Sequence, residues 1–252
     1  MRVALVVEYD GTRYHGFQYQ TNASSVQEEL EKALGCLTKK NVRVKGAGRT
    51  DRGVHATGQV VSFDVDAVYS IDTIVGALNW YLPSDVAVKA AYQVGEEFDP
   101  RRHATSRTYI YTISLGSTRS PLDRFTTYYV KQSINVRVME EAVSLFVGRH
   151  DFCSFVGKLD DPESSTVREI VKAEVSQCSN KVRIEFEGNA FLHQQVRRMA
   201  GVLLALGRGD LTKTKFKSMI ETGQGDSGNY VLPPEGLCLI GVKYNDSVSI
   251  PL

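Results

Sequence analysis

Residues 42–65 read VRVKGAGRTDRGVHATGQVVSFDV. An apolar approach from Val42 to Lys45 runs into a loop carrying Gly46, Gly48 and Gly53, and the chain returns from Gln59 to Val65 with apolar and polar residues roughly alternating. Glycine tolerates backbone angles that other residues avoid, so this is a strand, a sharply bent loop and a second strand. The loop carries one acid, Asp51, with Arg49 two residues before it and Arg52 one after. A neighbouring guanidinium favours the ionised carboxylate, which suits a nucleophile or an anion anchor. A charged turn stapled by its own ion pairs has the same sequence, and the loop alone does not separate the two.

Upstream of that pair, Arg2 to Glu8 is rich in Val and Leu and reads as a buried strand ended by Asp10-Gly11. A polar and aromatic loop, Tyr14 to Gln20, leads to Ser24 or Ser25 as the cap of a helix with Val26, Leu30, Ala33, Leu34 and Leu37 at helical spacing. Downstream, Ile71, Ile74, Val75, Leu78 and Leu82 mark a second helix stopped by Pro83, and Val86 to Val94 a fourth strand. The order β-α-β-β-α-β is the ferredoxin-like one.

After the break Phe98-Asp99-Pro100-Arg101-Arg102 the scheme repeats with insertions. Strands are expected over Arg107 to Leu115 and Thr126 to Lys131, and a helix over Met139 to Val147. A hairpin over Glu169 to Cys178 and Lys181 to Glu187 turns at Ser179-Asn180; helices over Phe191 to Leu206 and Leu211 to Thr222 and a closing strand, Leu237 to Tyr244, complete the chain. The fold class is therefore α+β, with domains over 1–102 and 103–252 as two ferredoxin-like halves. Antiparallel sheets of this type can meet edge to edge around a central cleft, with the Asp51 loop opposite His193, Gln194, Arg197 and Arg198.

A chain of 252 residues with 42% hydrophobic and 23% charged content is long enough for such a core, and its net charge of +1 neither points to nor excludes a nucleic-acid partner. Arginines cluster at Arg49/Arg52, Arg101/Arg102/Arg107, Arg119/Arg124 and Arg197/Arg198/Arg208, and acids at Glu28/Glu29/Glu31 and Asp160/Asp161/Glu163; each taken alone reads as a solvated face. Cys36, Cys153, Cys178 and Cys238 are far apart and read as reduced, mostly buried thiols. The charged start at Glu8 and Asp10 argues against a signal peptide, and no apolar run approaches a membrane span, so a cytoplasmic location is expected.

Other chemistries find no support. Gly223 to Gly228 matches G-x-G-x-x-G, but it follows a helix rather than a strand. Asp51, His55 and His193 lack a further carboxylate at metal-ligand spacing, Asp51 has no acid partner for glycosidase work, and no Gly-x-Ser-x-Gly nominates a serine.

Several stretches together resemble the TruA family of tRNA pseudouridine synthases along the whole chain. They are Tyr9 to Gln18, Gly48 to Ala56, Gly58-Gln59-Val60, Ser106 to Tyr111, His150 to Phe155, Asn189 to His193 with Val196-Arg197, and Pro233 to Leu239. The resemblance implies an isomerase that detaches uracil from its ribose and rejoins it through carbon. Its implied substrate is the anticodon stem-loop of tRNA at nucleotides 38 to 40, and it implies a homodimer that needs no cofactor or metal. It assigns Asp51 as the catalytic aspartate, Arg197 as its paired arginine and Tyr109 as the contact to the target base. Arg49 would stand beside the flipped nucleotide, with Arg52 and His55 also on the substrate-binding side. Thr108, where a basic residue is frequent, and Gln195, where an apolar one is frequent, depart from the pattern. A relative acting on other uridines, or a ferredoxin-like RNA-binding module without catalysis, is the alternative; such modules carry a Gly-aromatic signature that these strands lack.

Overall fold

The strand Arg2–Tyr9 (β1) is apolar along its length because neighbours flank both its edges and Val3, Leu5 and Val7 are wholly buried. His55–Asp64 (β3) pairs antiparallel with one edge, Val6 against Val60, and Val86–Val94 (β4) antiparallel with the other. The two-residue strand Lys45–Gly46 (β2) pairs with β3. In this computed structural model residues 1–66, 69–157, 163–223, 225 and 227–245 are described; Asp160 and Asp161 of the acidic run and Gln224 and Asp226 of the Gly223 to Gly228 stretch lie outside them.

Two helices follow their sequence signals closely. Val26–Thr38 (α1) starts where the Ser25 hydroxyl accepts from the Glu28 N–H at 3.2 Å and buries Val26, Leu30, Ala33 and Leu34. Ile71–Tyr81 (α2) starts where Ser70 accepts from the Thr73 N–H at 3.1 Å, and it stops before Pro83.

The chain divides into two units, one made of residues from Met1 to Arg107 together with the chain from Cys238, the other of Thr108–Leu237. Leu237–Tyr244 (β10), expected with the second half, thus belongs almost wholly to the first unit. It lies parallel to β3, Cys238 beside His55 and Leu239 beside Ala56. Strand order in this unit is β4-β1-β3-β10, with β2 on β3. Ala104–Leu115 (β5) begins in the first unit and continues in the second, three residues earlier than its alternation suggested.

In the second unit the order is β5-β9-β8-β7, built from Gly148–Asp151 (β7), Val167–Cys178 (β8) and Lys181–Gly188 (β9), with Tyr128–Val130 (β6) parallel to β5. The hairpin turns at Ser179 and Asn180 as expected, Ser179 taking a positive φ of 54°. β7 escaped the sequence because four residues, Gly148 to Asp151, are too few to show alternation. The three helices are Val136–Val143 (α3), Gln195–Arg208 (α4) and Lys213–Glu221 (α5). α4 is buried on almost every side, and Phe146 packs edge-on against Phe155, Phe186 and Phe216 at 5.2 to 5.7 Å to form the aromatic core.

Three expectations are corrected. Cys36 on α1, Cys153 in the short turn after β7 and Cys178 at the end of β8 are exposed, because none of these positions is covered by a packed neighbour, whereas Cys238 in β10 is half-buried. Arg107 and Arg198, expected on solvated faces, are buried. His55, expected in the loop, opens β3 because β10 pairs there, a contact between residues far apart in sequence.

Candidate active site

The loop from Ala47 to Val54 is held along its main chain. Ala47 N–H donates to Val60 O at 2.8 Å, and the Ala47 carbonyl accepts from buried Arg107 Nη2 at 3.0 Å. Gly48 O accepts from Gln59 Nε2 at 2.9 Å. Asp51 O closes a turn with the Val54 N–H at 3.1 Å, and that turn needs Gly53, whose φ is 77°. Gly46 serves a different purpose: a β-carbon there would come 2.4 Å from the Phe17 ring. Asp51 is half-buried, while Arg49 and Arg52 are exposed.

A second loop, residues 10–17, lies against the first. Phe17 N–H donates to Thr50 O at 3.1 Å and Gly53 N–H to Tyr14 O at 3.2 Å. Contact is close enough that a β-carbon on Gly11 would sit 2.0 Å from Val54 O, and one on Gly16 2.7 Å from Thr50 O. Tyr14 anchors this second loop through a 2.6 Å bond from its hydroxyl to Asp85 Oδ1. Burial, reinforced by the Asp85 carboxylate, raises the Tyr14 pKa and keeps the phenol protonated as donor. Arg13 adds a 3.2 Å ion pair to Asp85.

His55 is 7% exposed. Its Nδ1 accepts from the Gly11 N–H at 3.1 Å and stands 3.1 Å from Asp10 Oδ1. Asp10 is opposed by burial, but two bonds from Thr12 and the neighbouring imidazole outweigh it and hold its pKa below the ordinary value.

In the second unit, α4 carries Arg197 at its first turn. Arg197 Nε donates to Leu232 O at 2.7 Å, and its own carbonyl accepts from the Leu232 N–H. Gly201, one turn on, allows this approach: a β-carbon there would be 1.6 Å from Tyr230 O. The helix begins four residues later than its apolar pattern, because Gln194 takes a left-handed φ of 60°. Gln195 is wholly buried; its Oε1 accepts from the Leu192 N–H at 2.8 Å and its amide nitrogen lies 3.6 Å from Met199 Sδ. The Gln195 side chain, which departs from the family pattern, thus fastens the chain just before α4. Tyr109, on β5, is 8% exposed and meets the Phe191 ring edge-on at 5.3 Å.

Sequence reasoning singled out Asp51, Arg49, Arg52 and His55 in the first unit and Tyr109 and Arg197 in the second. It did not single out Tyr9, Gln59, Tyr14, Asp85 or Arg107, which brace the Asp51 loop or its neighbour. Tyr9, Tyr14, Gln59 and Arg107 do lie in the quoted family-like stretches, which was the available signal. Among the described residues no group of three or more His, Cys, Asp or Glu side chains is arranged to hold a metal ion.

Asp51 is thus a half-buried carboxylate on a loop fixed from several directions. The family model described as tRNA pseudouridine synthase matches residues 5–101 and 142–245. Proteins named tRNA pseudouridine synthase A are similar over nearly the full length. The one from Geobacter sulfurreducens is 38% identical over 242 residues, 96% of this chain and 99% of its own. The Myxococcus xanthus one is 41% identical over 97% of this chain and 92% of its own, and that of Shewanella piezotolerans 38% over 100% and 96%. A solved structure titled as a Cbf5-Nop10-Gar1 complex aligns at a TM-score of 0.31 and 10% identity over 81% of this chain and 54% of its own, too distant to bear on the fold. The chain belongs to the tRNA pseudouridine synthase family, whose enzymes are isomerases that convert uridine to pseudouridine.

Proposed function

We propose that this chain isomerises uridine to pseudouridine in the anticodon stem-loop of tRNA, at nucleotides 38 to 40, with Asp51 as nucleophile. The observation that carries the reading is the Asp51 carboxylate itself, half-buried on a loop held by the Gln59, Arg107 and Phe17 contacts and flanked by exposed Arg49 and Arg52.

The reaction breaks the N1–C1′ bond of uridine and forms C5–C1′, with loss of the C5 proton to solvent and its replacement at N1, so that no oxidant or reductant enters. An Asp51 oxygen adds to C6 of the base or C1′ of the sugar and leaves in a later step, and either route has the same atom balance. A uracil in a stem must first leave its stack, which calls for cations on the phosphates and an aromatic face for the base. Arg49 and Arg52 take the first task in this reading and Tyr109 the second. The resemblance assigns Arg197 as the arginine paired with the catalytic aspartate. His55 lies behind the loop, so its part in substrate binding runs through Gly11 and Asp10. The element order β1-α1-β2-β3-α2-β4 with strand order β4-β1-β3-β2 supports a ferredoxin-like first unit, and the family likeness supports a homodimer.

The test is tritium release from a tRNA transcript labelled at C5 of uridine, followed by mapping of the modified nucleotides. Asp51→Asn is expected to bind tRNA nearly as well as the parent and to lower release by more than about a thousandfold. Release at the parental rate in that variant would overturn the nucleophile assignment; release with modification mapped elsewhere would overturn the choice of nucleotides.

A further inference from the structure

The loop just before Asp51 is tied to a buried polar set. Tyr9 on β1, Thr50 in the loop and Gln59 on β3 are 3%, 6% and 0% exposed. Tyr9 OH and Thr50 Oγ1 share a hydrogen bond of 2.8 Å, Gln59 Nε2 donates to Gly48 O at 2.9 Å, and the same nitrogen stands 3.5 Å from Tyr9 OH. None of the three side chains is accessible enough to serve as a contact surface for an RNA.

We infer that Tyr9, Thr50 and Gln59 are positioning residues for Asp51, a reading that rests on the proposed function and adds to it how the carboxylate is aimed. One feature favours this over a set that serves the fold alone. The bonds converge on Gly48 and Thr50, close before Asp51 in the chain, whereas the pairing of β1 with β3 is already secured by an antiparallel ladder from Arg2 to Tyr9. Displacing a reacting group by about 1 Å costs on the order of a hundredfold in rate, so a hydroxyl that holds Thr50 in place acts on turnover without touching substrate.

The experiment compares Thr50→Val, Thr50→Ser, Tyr9→Phe and the Tyr9→Phe/Thr50→Val pair with the parent, measuring kcat and KM for a tRNA transcript by tritium release and melting by circular dichroism. Thr50→Val and Tyr9→Phe should each lower kcat by at least about tenfold with KM within about twofold of the parent. The pair should fall little further than the worse single variant, because both remove one shared bond. Thr50→Ser, which keeps the hydroxyl, should restore most of kcat. A parental kcat in Thr50→Val and Tyr9→Phe overturns the inference, as does a loss that simply follows the fraction of unfolded protein or that Thr50→Ser shares in full. Asp51→Asn assayed alongside separates the two levels: an active Asp51→Asn overturns the proposed function, whereas an inactive Asp51→Asn beside a fully active Thr50→Val overturns only the positioning role.

Discussion

Cys238 shows how a single residue reports its surroundings. Burial pushes its thiol up to about 11, against a smaller opposing effect of hydrogen bonds with Thr57, while Cys36, Cys153 and Cys178 are exposed. Since the thiolate is the reacting species, iodoacetamide at pH 8 should modify those three and leave Cys238 at least about tenfold slower, with all four reacting in denaturant. Peptide mapping by mass spectrometry checks this, and equal rates in the native protein would mean that Cys238 is not covered as described. The four cysteines looked alike in the sequence because their spacing excludes zinc-ligand pairs but contains no measure of how strands cover them. For Asp51 the residue type and its flanking arginines were legible, and the braces were not: Gln59 and Tyr9 reach the loop across strands, over separations that no local pattern encodes.

Glycines at helix contacts belong to the scale of the element, and two of them differ in sign. On α4, a β-carbon at Gly201 would stand 1.6 Å from Tyr230 O, a backbone atom that cannot turn aside, whereas at Gly76 on exposed α2 it would meet nothing within 4 Å. Gly201→Ala should therefore destabilise the protein by about 1–3 kcal/mol as the helix lifts from the Tyr230 to Leu232 segment. For a chain of this length each kcal/mol lowers Tm by roughly 2–4 °C. Gly76→Ala should raise stability by up to about 1 kcal/mol, because alanine loses less backbone freedom in a helix. Thermal melting followed by circular dichroism decides both. The Gly201 variant should also lose activity, because Arg197 is held by Leu232 O on the segment that moves. Helix existence was plain from periodicity, but the start of α4 was placed at Phe191 because nothing local marks Gln194 as left-handed; the backbone turns there while the Gln195 side chain accepts from the Leu192 N–H.

At the scale of the molecule, the first unit is completed by residues from the far end of the chain. β10 pairs with β3, buries Leu239 and Val242, and sets Tyr244 against the Phe98 ring at 5.3 Å with its hydroxyl on Pro100 O. Thr105 Oγ1 also donates to Lys243 O at 3.1 Å. Truncation after Gly236 should therefore strip protection from a strand nearly two hundred residues away in sequence. Amide hydrogen exchange around His55 and Ala56 should speed up by at least about a hundredfold, and slow exchange retained there would show that β10 is dispensable. Compositional reading assigned this strand to the second half, since sequence order is the only guide to membership before the chain is folded.

The sequence by itself determined the α+β class, a serine cap at Ser24 or Ser25 for the first helix, the stop of the second before Pro83, the hairpin at Ser179-Asn180 and the placing of one acid between two arginines in a glycine-bearing loop, because each depends on residues within a few positions of one another. Only the tertiary structure decided that β10 closes the first unit, that His55 and Arg107 are buried supports, and that Tyr9, Thr50 and Gln59 meet in a buried set bonded to Gly48. Those facts depend on which strands pair and which side chains lose water together, and the free energy of such contacts is shared among residues that local spacing cannot bring side by side.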